Sequence, residues 1–273
     1  MGSPEIGIVG YGKVGGSYHE MFPEAVIYDP YVEEFKDNKE AINECDVALV
    51  CVPTDLDEHT RKLDMGPVNE TVGWLKPELI IIKSALQPGT ADRLVEQTGK
   101  KIAVSVEYVG EGSYFVPFWK YPDTKDPTLH DMVVVGGSDE AAESAAEVLW
   151  DKLSPDIRIH KVTALEAEII KLVENSYGAY KVTFANAVKS LCDQADASWV
   201  RVHQGWTSDG RVDAMHTRTT SFNRGWSSKC WDKDVIALQT YAEEVGAIDL
   251  SQLIGKTVMV NNYQLELNNK DDE

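Results

Sequence analysis

Two hydrogen-bond donors and one thiol stand out in this chain as groups able to do chemistry. Lys171 and Asn175 lie four residues apart in a stretch without proline. On a helix they share one face and aim an ammonium and an amide at one point, as a developing alkoxide or tetrahedral oxyanion requires. Asn186, three turns further on, falls on the same face. A solvated helix face accounts for Lys171 alone, but less well for a row that also holds two asparagines. Cys230 precedes a helical pattern at 231–245, which Gly246 stops. A helix N-terminus favours thiolate, and Lys229 and Lys233 add positive charge, whereas Asp232 and Asp234 oppose it. Asp234, one turn below the thiol, can serve as a base toward thiol or water. Read from its surroundings alone, Cys230 is either a nucleophile or a buried structural thiol.

A second group of residues is suited to a cofactor. Gly10-Tyr11-Gly12-Lys13-Val14-Gly15 is GxGxxG, set directly after one β-rich run and before a helical stretch. The first glycine allows a tight turn, the second lets backbone approach a pyrophosphate, and the third lets helix pack on strand. Asp29 ends the next β-rich run, where a carboxylate accepts hydrogen bonds from ribose hydroxyls and repels a 2′-phosphate, so the expected cofactor is NAD rather than NADP. Lys13 either contacts a phosphate or is a solvated loop lysine. Cys51-Val52-Pro53-Thr54 ends a buried strand at the carboxyl edge of the sheet, the edge where ligands of open α/β sheets bind, which makes Val52 and Pro53 cofactor contacts and Cys51 core filler.

These residues need elements to hold them. Candidate strands at 6–9, 25–28, 47–52, 79–82, 102–106, 132–135 and 157–160 alternate with helical patterns such as 139–150, capped by Ser138. After Thr163 the strands stop, and a helix can be written over 164–192, about 43 Å long at 1.5 Å per residue, long enough to join two domains or two subunits. Tyr177, Tyr180, Phe184, Val188 and Leu191 form an apolar stripe along it, larger than one small helical domain can cover, which predicts a homodimer. Further helices follow, broken by a loop over 205–229, and the polar run 268–273 reads as a disordered tail. The predicted fold is therefore α/β: an N-terminal Rossmann-type parallel sheet over 1–162, then a long connecting helix and an all-helical dimerisation domain over 163–273.

Composition narrows the function. With 26 Lys+Arg against 45 Asp+Glu, the net charge of −19 repels nucleic acid and anionic membrane. A small anionic ligand is still compatible, because Arg201, Arg211, Arg218, Arg224, Lys229 and Lys233 cluster in the second half. Four cysteines without CxxC or zinc spacing predict reduced thiols and no metal site. No apolar run reaches the ~20 residues of a membrane helix and no leader precedes the first strand, so the expected location is cytoplasmic.

Four segments occur in an order that resembles the UDP-glucose/GDP-mannose dehydrogenase family. They are Lys83-Ser84-Ala85-Leu86-Gln87-Pro88-Gly89-Thr90; Ser105-Val106-Glu107-Tyr108 with Glu111; Ala167-Glu168-Ile169-Ile170-Lys171-Leu172-Val173-Glu174-Asn175; and Cys230-Trp231-Asp232-Lys233-Asp234. The resemblance implies an NAD-dependent four-electron oxidation of a sugar-nucleotide alcohol to a carboxylate through a cysteine thiohemiacetal and thioester. Cys230 resembles the nucleophile, Lys171 and Asn175 the oxyanion-binding pair, and Glu107, Glu111 and Asp234 the carboxylates that bind substrate or activate water. Ser84 then counts among the cofactor contacts and Asn186 among the substrate contacts. Asp209-Gly210-Arg211-Val212 resembles the segment whose arginine reaches a neighbouring subunit's substrate. Ala85 stands where the family usually has threonine, Ala187 where it has glutamate and Val106 where it has proline. Gly225-Trp226-Ser227-Ser228-Lys229 carries side chains where the family has a glycine-rich stretch, and Trp231-Asp232 replaces an apolar-Pro pair. The sequence reads as a short form, ending at Glu273 before the family's second Rossmann-like domain. Two other readings fit the same residues: a two-electron β-hydroxyacid dehydrogenase using Lys171 and Asn175 without the cysteine, and a catalytically silent NAD-binding dimeric scaffold.

Overall fold

Runs of Val, Ile and Leu that alternate between two buried faces build the first half of the molecule. A computed structural model describes residues 3–110, 125–130, 132–153 and 156–270. It divides into two compact units, Met1–Lys171 and Leu172–Glu273.

The first unit is built on a seven-stranded sheet. Its strands are β1 (Ile6–Val9), β2 (Val26–Tyr28), β3 (Val47–Val50), β6 (Leu79–Ile82), β7 (Lys101–Ser105), β8 (Met132–Gly136) and β9 (Arg158–Val162), in the order β2-β1-β3-β6-β7-β8-β9. The residues of β1, β3 and β6 are buried throughout, as strands covered on both faces must be. Val47 and Leu49 of β3 join one core, with Tyr18 and Met21 of α1 (Lys13–Met21) and Ala141, Ala145 and Leu149 of α5 (Asp139–Trp150). Ala48 and Val50 point the other way, toward Val68 and Val72 of α3 (Gly66–Trp74) and Leu94 of α4 (Thr90–Thr98). The short helix α2 (Lys39–Ile42) seals this second core with Ile42.

Two features of the strands differ from the expectation. β8 runs antiparallel to β7, pairing Val104 with Gly136, while the other neighbouring pairs are parallel. Apolar runs report burial on both faces and not direction, and an antiparallel neighbour needs no crossover helix. A two-stranded hairpin, β4 (Leu56–Asp57) with β5 (Lys62–Leu63), was also not anticipated, because two residues per strand leave no period to read.

The long helix α6 (Ala164–Gln194) has 31 residues, close to the expected span, and passes from the first unit into the second. The second unit continues with α7 (Trp199–Thr207), α8 (Lys229–Glu244) and α9 (Ile248–Lys270). The irregular stretch between α7 and α8 is pinned from α9: Asn261 accepts from Trp226 N and donates to Trp226 O, both at 2.8 Å. Asn268 does the same for the backbone of Arg224. The expected disordered tail at 268–273 is corrected here, since Asn268 belongs to α9; its paired bonds to the backbone of one residue stand in for the apolar burial that the run lacks. Residues 271–273 lie outside the described ones. Among the described residues no helix is long and apolar enough to cross a membrane.

Candidate functional site

The glycine loop has the backbone its sequence calls for. Gly10 adopts φ +93°, and a Cβ there would sit 2.7 Å from the Cys51 carbonyl oxygen. At Gly15 a Cβ would come within 1.9 Å of the Gly10 carbonyl oxygen, so α1 packs on the loop only because Gly15 has none. Gly12, the N-cap of α1, has nothing within 4 Å of where its Cβ would be. The loop therefore leaves open the position where a pyrophosphate would meet a helix N-terminus. Asp29 stabilises the same loop: Oδ2 accepts from Tyr11 N at 2.8 Å and Oδ1 from Tyr31 N at 2.9 Å. Each oxygen keeps a lone pair for a ribose hydroxyl. Lys13 is exposed at the first position of α1, with Val14 half-buried behind it. Val52 and Pro53 follow β3, and Ser84 Oγ donates to Val52 O at 2.7 Å, so the ends of β3 and β6 are tied side by side.

Behind this edge lies a buried charged cluster within the same unit. Lys83 Nζ contacts Glu107 Oε2 at 3.3 Å and donates to Ser105 Oγ at 2.9 Å. Burial holds the Lys83 ammonium below its usual value, with the Glu107 carboxylate working against that. The Cys51 thiol is raised by burial and then by the charge of Glu107, which fits a core thiol rather than a nucleophile. Glu107 Oε1 accepts from Val109 N, and the Glu107 carbonyl accepts from Lys171 Nζ at 2.6 Å. Two expected site residues of the first unit, Glu107 and Lys171, are thus in direct contact. Glu111 lies outside the described residues. Sequence reasoning assigned no role to Glu168, whose carboxylate accepts from Ala91 N at 2.8 Å and from Gly89 N, capping α4 and fixing the start of α6. Burial raises it to about 7 even against those bonds. The available signal was a glutamate one turn before Lys171, on an otherwise apolar turn.

The second unit brings together residues far apart in sequence. Asn175 Nδ2 donates to Asp234 Oδ2 at 2.6 Å, and Lys233 Nζ donates to Asp234 Oδ1 at 2.7 Å, with Asp234 only 1% exposed. Cys230, half-buried, stands one turn above Asp234 on α8. Here the expected helix boundary is corrected: α8 begins at Lys229, because Ser228 accepts from Trp231 N and caps it, which puts Cys230 inside the first turn. Trp231 packs on α6 at Gly178, where a Cβ would lie 2.8 Å from its ring. His216 meets that ring edge-on at 5.1 Å.

Asn186, fully buried, donates to Val182 O and accepts from Thr219 Oγ1 at 2.7 Å. Arg211, 90% exposed at its side chain, folds back on Asp209. Arg224 is buried against Gln264, Ser190 and Asp193. The cationic cluster expected between 201 and 233 is in good part internally paired, so it does not form one basic surface. Among the described residues no three His, Cys, Asp or Glu side chains converge as metal ligands. The stripe on α6 is exposed, Tyr177 by 58%, Phe184 by 47% and Leu191 by 65%.

A glycine loop between parallel strand and helix, an acidic residue closing the second strand, and a mostly parallel sheet define a dinucleotide-binding α/β protein. The chain matches the UDP-glucose/GDP-mannose dehydrogenase family, in its NAD binding domain over 24–154 and its central domain over 165–263, and belongs to that family. It is 29% identical over 171 residues to a UDP-glucose 6-dehydrogenase of Rickettsia prowazekii, covering 60% of this chain and 37% of that protein. With UDP-glucose 6-dehydrogenase 2 of Oryza sativa it shares 22% over 237 residues, 80% of this chain and 48% of the other. The fold superposes on a UDP-glucose dehydrogenase from Pyrobaculum islandicum with a TM-score of 0.78 at 20% identity, over 96% of this chain and 68% of that one. The chain spans about half the length of the curated relatives it matches.

Proposed function

We propose that this chain oxidises the primary alcohol of a sugar nucleotide to a carboxylate with NAD. The observation that carries the reading is the contact of Asn175 with Asp234, one helical turn below Cys230. It joins two family-like positions 59 residues apart. The residues present fit the cofactor: Gly12 is open, Gly10 and Gly15 could not be larger, and Asp29 offers its lone pairs to the ribose. NAD, when bound, accepts hydride in each of the two oxidations. The chain's own groups do the rest. Lys171 and Asn175, one turn apart on α6, hold the alkoxide and then the tetrahedral oxyanion. Asp234 takes the thiol proton of Cys230, whose sulfur adds to the aldehyde carbon, giving a thiohemiacetal whose oxidation leaves a thioester. Water adds to the thioester, its proton passing to solvent, and the thiolate leaves. In sum, one alcohol, two NAD⁺ and one water give one carboxylate, two NADH and three protons.

The test is a panel of UDP-, GDP- and dTDP-sugars assayed for NADH yield. The parent should give two NADH per substrate. Cys230→Ser should stall at an ester adduct one substrate heavier by mass spectrometry, because an alkoxide is a far poorer leaving group than a thiolate. A Cys230→Ala variant that still yields two NADH per substrate would remove the thioester route. A single NADH from both would turn the reading to a two-electron dehydrogenase. We also propose a homodimer through the exposed α6 stripe, where Tyr180 and Phe184 stack at 6.2 Å and Trp206 meets Phe184 edge-on. Light scattering should show twice the 30.3 kDa chain mass; a monomer at micromolar concentration would overturn this.

A further inference from the structure

Lys83 leaves the end of β6 with its side chain 0% exposed. An ammonium persists in such a place only when its charge and hydrogens are met. Here they are met almost entirely by three consecutive residues, Ser105 Oγ at 2.9 Å, Val106 O at 3.3 Å and Glu107 Oε2 at 3.3 Å. The face of the Tyr18 ring covers the remaining side, 4.6 Å from Nζ to centroid. Burial first, then the Glu107 charge, raises the Tyr18 phenol well above its usual value and keeps it protonated. One buried charge therefore clamps the turn that leaves β7. The carbonyl of that same turn, Glu107 O, receives Lys171 Nζ at 2.6 Å. A buried ion pair adds little net stability over a well-packed apolar replacement, so its more telling consequence is geometric.

We propose that Lys83 is a positioning residue, whose ammonium fixes the 105–107 turn so that the Glu107 carbonyl holds the Lys171 ammonium in place. The relevance to catalysis rests on the function proposed above. The positioning itself requires no substrate and is tested without one.

The experiment is trace acetylation of the whole chain with acetic anhydride, read lysine by lysine by mass spectrometry. Lys100 is the internal control, since it lies in the same unit and is likewise held by carbonyls, of Val72 and of Gly73 at 3.0 Å. In Lys83→Met, Lys171 should acetylate about fivefold faster while Lys100 keeps its parent rate, the difference a lost hydrogen bond of about 1 kcal/mol makes. Equal rates at Lys171 in a folded variant, or a parallel rise at Lys100, would overturn the proposal, the second outcome marking a merely structural lysine. Should Lys83→Met not fold, Ser105→Ala removes one acceptor and keeps the ammonium. It should raise Lys171 labelling about twofold, a smaller loss of the same kind, and no rise would overturn the proposal. With a sugar nucleotide that the parent oxidises, Lys83→Met should lower kcat at least about tenfold with KM for NAD within about threefold, as misplacement of an oxyanion donor does. A parent that oxidises none of the panel would count against the proposed function and leave the labelling result to decide on Lys83.

Discussion

The two units set their chemistry in place in opposite ways. In the first, the cofactor loop and its carboxylate lie within twenty residues, from Gly10 to Asp29, and they rest on the backbone: a positive φ, a missing Cβ, a side chain accepting from a backbone N–H. In the second, the contacts that define the cluster join distant residues, Asn175 to Asp234, Trp231 to Gly178, and Asn261 and Asn268 to the loop before Cys230. Backbone geometry specifies the first and side-chain packing the second. A cofactor loop of this kind fails at a single atom, whereas a packed cluster can be repaired by a second change.

The largest effect should follow from Gly15→Ala. Its methyl would need the space 1.9 Å from the Gly10 carbonyl oxygen, and the atom it meets is backbone, so about 3 kcal/mol of stability or more should be lost along with NAD binding. Gly12→Ala is the matching control. With open space around it, the fold should keep its denaturation midpoint while calorimetry shows NAD affinity falling. If both variants melt like the parent, or both melt early, the division of labour between the two glycines is wrong.

A smaller effect, of about 1 kcal/mol, is expected at Gly178. Alanine should improve a helix interior by about 1 kcal/mol, yet its methyl would press on the Trp231 ring at 2.8 Å, where overpacking costs about 1–3 kcal/mol. Gly178→Ala should therefore destabilise by itself and become neutral or stabilising in combination with Trp231→Leu. A denaturant double-mutant cycle measures this directly. Simple additivity would show that the tryptophan does not depend on the glycine, and the contrast between the units would weaken.

This contrast also explains how much could be read from the chain. Gly10, Gly12, Gly15, Asp29 and the long helix were legible because each is encoded by neighbours a few residues away or by a sustained period. The direction of β8 was not, since β-rich composition carries no direction. Asn268 looked like tail because its partner, the Arg224 backbone, lies 44 residues earlier. The Lys83–Glu107 pair was hidden for a related reason: charged residues read as surface unless a partner is visible, and this partner becomes a neighbour only when β6 pairs with β7. Ser228 was a readable cap that the apolar period starting at Trp231 obscured. Family resemblance pointed to Lys171, Asn175 and Asp234 together, but their hydrogen-bond partners came only from the fold.

The smallest effect probes the second unit through protons. His216 sits against Trp231 with its pKa lowered from 6.5 to about 4, first by burial and then by the Lys181 charge, with Asp213 opposing. The fold thus keeps this imidazole neutral, while the unfolded chain takes up a proton below 6.5. Between pH 6.5 and about 4 the unfolded state binds more protons, so stability falls as pH falls, and above 6.5 the residue contributes no slope. His216 also has φ +64°, a conformation that asparagine tolerates well. His216→Asn should therefore keep the backbone and flatten the dependence of Tm on pH between about 5 and 6.5, above the range where most carboxylates titrate. An unchanged slope in that window would mean that His216 takes its proton in the folded protein as readily as in the unfolded one, and that the packing around Trp231 does not exclude charge.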